Sequence, residues 1–153
     1  MGIRRRAREL AMQALFYMDM RGEDPKEDPE EMLELYCKCF SPAKKAYPFF
    51  NKLVTGVLDA RDEIDGSIER FSSNWKISRM SCVDRNILRI AVYELIHCEE
   101  IPFKVSINEA IDVGKKFGTE ESGAFINGIL DSIRNAIEAK PVEKEAETEI
   151  NNH

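Results

Sequence analysis

Apolar residues recur at helical spacing along most of the chain, and no stretch alternates as a strand would. Over residues 3–20, Ile3, Ala7, Leu10, Ala14 and Met18 form one stripe. Arg5, Glu9, Met12 and Phe16 fall on the opposite side, flanked by Arg8 and Gln13. That second face mixes charge with an aromatic ring and a methionine that the main stripe does not claim. Residues 21–30 form a breaker-rich acidic loop, and a shorter helix is expected around 30–40. Pro42 and Pro48 bracket a turn before one long helix over 48–71, striped by Leu53, Val57, Ile64, Ile68 and Phe71. The segment 72–79 holds the single tryptophan, Trp75, and reads as a linker tucked onto the core.

Ser81 and Asp84 have capping-box spacing at the start of a helix that runs to about His97. This helix is apolar nearly all round (Ile87, Leu88, Ile90, Ala91, Val92, Leu95), so it is expected at the centre of the fold. Its charges, Arg85, Arg89 and Glu94, are then expected to reach an edge or a partner surface. After Pro102, Ser106 and Glu109 suggest a second capping box, and Gly118 at the C′ position ends that helix. Thr119 caps a last helix, striped by Phe125, Ile126, Ile129, Leu130, Ile133 and Ile137. Gly114 and Gly128 inside helices suggest close helix packing. The expectation is an all-α domain over residues 1–140, followed by an acidic disordered tail at 141–153.

Composition narrows the functional classes. A net charge of −6 argues against a protein coated in basic surface, so any nucleic-acid contact must be a local patch. No apolar run is long enough to span a membrane, and the N-terminus lacks the apolar core of a secretory signal. A cytoplasmic setting follows, with Cys37, Cys39, Cys82 and Cys98 as reduced thiols. Their spacing, and that of His97, does not suit zinc, and no metal or other cofactor is expected. No nucleotide-binding loop, zinc-protease motif or nucleophile elbow is present, so catalysis is not expected.

Two segments carry candidate chemistry. Arg4, Arg5, Arg6 and Arg8 open the first helix against one acid, Glu9. Cations at a helix N-terminus are disfavoured by roughly 0.3–1 kcal/mol each, so something outside the fold is expected to offset them, and phosphate is the natural candidate. The second segment runs from Lys115-Lys116-Phe117-Gly118 to Ser122 and on to Phe125 and Asn127. Two lysines, a glycine turn and a new helix N-terminus make a plausible phosphate seat, with aromatics beside it for stacking. The same residues also suit an ordinary helix end with core phenylalanines, and both readings stay open.

Three ordered blocks resemble a known family. Arg4-Arg5-Arg6-Ala7-Arg8-Glu9-Leu10-Ala11-Met12-Gln13-Ala14-Leu15-Phe16 resembles the N-terminal signature of the bacterial transcription antitermination factor NusB. Asp84–Leu95 and Val105–Ile111 are similar to its central motifs, and Lys116–Asp131 to its last. The likeness runs in order over 3–133 and is weakest over 22–50. It implies two packed helical bundles in one compact domain, without enzymatic activity. It further implies pairing with the ribosomal protein NusE, binding of single-stranded boxA-type RNA, and indirect engagement of the RNA polymerase elongation complex on ribosomal RNA operons. Carried over by position, the RNA side comprises Arg4, Arg5, Arg6, Arg8, Gln13, Phe16, Lys115, Lys116, Glu121, Ser122, Phe125 and Asn127. The partner side comprises Asp84, Arg85 and Arg89.

Two positions depart from the family pattern. Phe16 stands where tyrosine is frequent, and Ala124 where a basic residue is common, which would remove one phosphate contact. Two alternatives remain: a scaffold that holds NusE without touching RNA itself, and a homodimer that stores the arginine face.

Overall fold

The structure, a computed structural model, describes residues 2–21, 28–73 and 75–151, with side chains described to residue 139. Among the described residues seven α-helices follow in order: α1 (Ile3–Met20), α2 (Pro29–Phe40), α3 (Tyr47–Asp59), α4 (Arg61–Arg70), α5 (Cys82–His97), α6 (Phe103–Phe117) and α7 (Ser122–Asn151). A 3₁₀ turn, Ile77–Arg79, precedes α5, and no strand occurs among the described residues. α7 includes the acidic segment after Pro141 as far as Asn151, where the side chains lie outside the described residues. The acidic loop expected at 21–30 falls largely outside them as well, at residues 22–27.

The helices form two packed groups. α1 packs on α2 and α3, while α4, α6 and α7 gather round α5. α5 joins the groups, touching α1 and α3 as well as α4, α6 and α7. Its near-continuous apolar surface requires such a position: Leu88 and Val92 are fully buried, and Ile87, Ile90, Ala91 and Leu95 nearly so. The Ser81 hydroxyl accepts a hydrogen bond from the Asp84 N–H at 3.1 Å, so the expected cap at its start forms.

Four local expectations are corrected. The helix expected over 48–71 is two helices, because the chain leaves helical geometry at Ala60 (φ −106°, ψ 19°). Ser106 caps nothing: α6 starts three residues earlier, after Pro102, and Ser106 is buried inside it. Gly118 does end α6, as its cap at φ −97°; a Cβ there would collide with the Ser122 hydroxyl and the Gly114 carbonyl, so close approach is what demands glycine. Gly114 faces Ile126 closely, whereas Gly128 meets open space and owes nothing to packing. Trp75 is also misplaced by the sequence reading, since it is 56% exposed.

Candidate nucleic-acid interface

α1 is buried along more of its circumference than its single stripe suggests. Ala7 through Met12 are all buried, because α2, α3 and α5 all pack on the helix. Met12 therefore belongs to the core. Ile3, the first residue of the expected stripe, is exposed.

The arginines of α1 have different fates. The helix begins without a side-chain cap and without an acid in its first turn, so its own end offers the cations nothing. The expectation that the offset comes from outside the fold is corrected, because it comes largely from other helices of the same chain. Arg8, only 5% exposed, forks onto Glu94 of α5, with Nε to Oε2 at 2.9 Å and Nη2 to Oε1 at 2.7 Å. The buried Ser106 hydroxyl donates to the same carboxylate at 2.9 Å. Arg5 is half-buried and bridges Glu109 and Asp112 of α6. Hydrogen bonding to Glu109 raises its guanidinium above the ordinary value, outweighing burial. Arg4 and Arg6 stay exposed. Arg4 lies over the Phe49 ring at 5.2 Å, and Arg6 approaches Glu9 at 3.6 Å.

Glu9 is the junction between the two candidate segments. It is 1% exposed, yet Lys116 from the end of α6 donates to its Oε1 at 3.0 Å. Its Oε2 is buried without a hydrogen-bond donor and faces Arg6. One carboxylate thus holds two half-exposed cations from distant parts of the chain, leaving a local excess of positive charge. Lys115 is exposed and forms no ion pair among the described residues.

Beside this cluster, Met12, Gln13 and Phe16 of α1 line a groove of about 280 Å³ with Val83 of α5 and Phe117 of α6. The α6–α7 turn continues from Phe117. The Thr119 N–H donates to the Ser122 hydroxyl at 2.9 Å, and the Thr119 hydroxyl accepts from the Glu121 N–H at 3.3 Å. Ser122 is 1% exposed and braces the turn, whereas Glu121 and Asn127 are exposed and Phe125 is half-buried. Structure thus joins Arg6, Lys116, Gln13, Phe16 and the α6–α7 turn on one side of the molecule. It places Arg8 and Ser122 beneath that surface.

The candidate partner residues sit in a different network. Asp19 of α1 accepts from Arg85 at 2.7 Å, Asn86 at 3.0 Å and Arg89 at 3.1 Å. Arg89, 4% exposed, also forks onto Asp65 of α4 at 2.8 and 3.1 Å. Burial pushes the Asp19 carboxyl up, but the hydrogen bonds and the two arginine charges win and hold it below the usual carboxylate range. Asp84 is half-buried, with an Oδ1 that has no hydrogen-bond partner. The expectation that Arg89 and Glu94 must reach an edge is therefore corrected, because counter-charges from α4 and α1 meet them inside. Sequence reasoning missed Asp19, Asp65, Glu109 and Asp112 as partners. The available signal was an isolated charge on an otherwise apolar helix, which requires a buried opposite charge.

No helix among the described residues is long and apolar enough to cross a membrane. The model of the NusB family matches residues 5–135. The chain is 58% identical over 133 residues to the transcription antitermination protein NusB of Desulfatibacillum aliphaticivorans, covering 87% of this chain and 90% of that protein. Among solved structures it is similar to T. maritima NusB, with a TM-score of 0.76 and 41% identity, covering 86% of this chain and 90% of that one. It is also similar to a chain in the crystal structure of antitermination factors NusB and NusE in complex with dsRNA, with a TM-score of 0.76 and 33% identity. That match covers 89% of this chain and 98% of the other.

Proposed function

The chain belongs to the NusB family, and from that premise we propose that it is a transcription antitermination factor that binds single-stranded boxA-type RNA together with ribosomal protein NusE. Its role is binding rather than catalysis, in the cytoplasm, and it reaches RNA polymerase through the complex it joins. The observation that carries this reading is the Lys116–Glu9 contact at 3.0 Å, which brings the arginine-rich start of α1 and the α6–α7 turn to one surface. Arg4, Arg6, Lys115 and Lys116 supply mobile positive charge for phosphates, and Phe16 and Phe125 supply rings for unstacked bases. Gln13, Glu121 and Asn127 offer hydrogen bonds to base edges. Arg5 and Arg8 hold α1 against α6 and α5, and Ser122 shapes the turn. Asp84, with Arg85 and Arg89 behind it, marks the NusE side.

The test is fluorescence anisotropy of a labelled boxA-type strand with this protein alone and with NusE, at two salt concentrations. Tighter, salt-sensitive binding in the presence of NusE is expected, with a duplex of the same sequence competing poorly. RNA binding by NusE that is unchanged when this protein is added would instead favour a scaffold.

A further inference from the structure

Trp75 lies outside every segment that suggested RNA binding, yet its setting is that of a ligand-facing ring. Tryptophan is among the side chains with most to gain from burial, but this one is 56% exposed. It does not hang free. Its ring meets Phe125 of α7 with centroids 6.1 Å apart and planes tilted by 54°. The backbone beneath is fixed: the Trp75 N–H donates to the Ser72 carbonyl at 3.1 Å, and the buried Ser72 hydroxyl donates to the Trp75 carbonyl at 2.7 Å. The chain turns into this position through Ser73 at φ 54°, a left-handed conformation that costs a non-glycine residue of order 1 kcal/mol. Lys76 and Arg79 follow, both exposed and without an ion pair among the described residues. An exposed ring on a pinned backbone, beside two unneutralised cations, is the chemistry that holds single-stranded nucleic acid.

We infer that Trp75 is a base-stacking platform that extends the RNA groove beyond Phe125, with Lys76 and Arg79 following the adjacent phosphates. The ligand is an unpaired base of the same RNA strand, so this inference rests on the RNA-binding reading. Trp75 and Phe125 form a two-ring corner: a base stacks on the open face of the indole while the phenyl ring fixes its tilt. The platform is indifferent to base identity, because every base presents a π-face.

The chain has one tryptophan, so fluorotryptophan incorporated into this protein alone yields a single reporter, even in the complex with NusE. Its fluorine NMR signal is followed as boxA-type RNA is added, while anisotropy of the labelled strand reports total binding. The signal is expected to move in step with anisotropy. Trp75→Leu, which keeps an apolar contact to Phe125 but loses the stacking face, is expected to weaken RNA binding by about fivefold to a hundredfold. Trp75→Phe should retain most of the affinity. The salt slope should be unchanged in both, since stacking releases no counterions, and circular dichroism should match the parent because the side chain is exposed. RNA that binds without moving the signal, or a Trp75→Leu protein of parental affinity, overturns the platform while leaving the RNA-binding reading intact. Absence of any RNA binding, with or without NusE, overturns both.

Discussion

Arg8 and Arg6 lie two residues apart on the same helix, and they do opposite work. Arg8 points into the protein, where it forks onto Glu94 at almost no exposure. Arg6 stays in solvent at the edge of a carboxylate it shares with Lys116. The same division separates Arg89, locked between Asp19 and Asp65, from Lys115, which has no ion pair among the described residues. A buried cation is satisfied by partners of fixed geometry, and its loss strands a charge in low dielectric. An exposed cation is held loosely, is screened by salt, and stays available to an external phosphate. A cluster of arginines in a sequence therefore does not by itself count RNA contacts.

The largest effect should come from breaking the buried pair. Arg8→Met or Glu94→Gln is expected to destabilise the fold by about 3–5 kcal/mol in urea unfolding, because each leaves its partner uncompensated. The Arg8→Met/Glu94→Met double substitution should recover most of that loss, with the freed Ser106 hydroxyl turning back to a carbonyl of its own helix.

Next comes the second network. Asp19→Asn should cost about 1.5–3 kcal/mol, the worth of hydrogen bonds to charged groups. It should also change the acid limb of the stability curve. The folded carboxyl is held below its unfolded value of about 3.9, so its contribution is complete above that pH and is lost as pH falls through the lower folded value. Unfolding midpoints from about pH 5 to pH 2 should thus fall less steeply in Asp19→Asn than in the parent.

On the exposed side the readout reverses. Arg6→Gln should change stability by less than about 0.5 kcal/mol, whereas Lys116→Gln, which takes from the buried Glu9 its hydrogen-bonding cation, should cost about 1–3 kcal/mol. Each should weaken RNA binding several-fold and flatten the logarithmic salt slope by about 0.7. The smallest effect is a gain. Ala124 is exposed at the start of α7, so Ala124→Lys should add one phosphate contact and steepen the slope by about 0.7.

How much of this was legible in the sequence depends on the range of the interaction. The helices from 3–20 and 82–97 follow from apolar spacing and the Ser81 cap, which are local. The break at Ala60 was not legible, because alanine is a good helix former and the stripe continues across it; tertiary packing sets the kink. The three family-like blocks pointed to the candidate RNA-side segments, but only folding could show that Glu9 and Lys116 meet across 107 positions. Arg8 and Arg89 looked like surface charges because their counter-ions come from other helices. The linker holding Trp75 was expected to tuck onto the core, but the exposure of its ring depends on what packs nearby, which local sequence does not show.

The most direct test compares the parent with Arg4→Gln/Arg6→Gln/Lys115→Gln, which leaves Lys116 on the buried Glu9, in RNA anisotropy at two salt concentrations in the presence of NusE, alongside an unfolding curve. The account expects an unchanged unfolding midpoint, much weaker binding, and a salt slope shallower by about 2. Parental affinity and slope in the triple variant would contradict it, and would return the exposed cations to the status of ordinary surface charge.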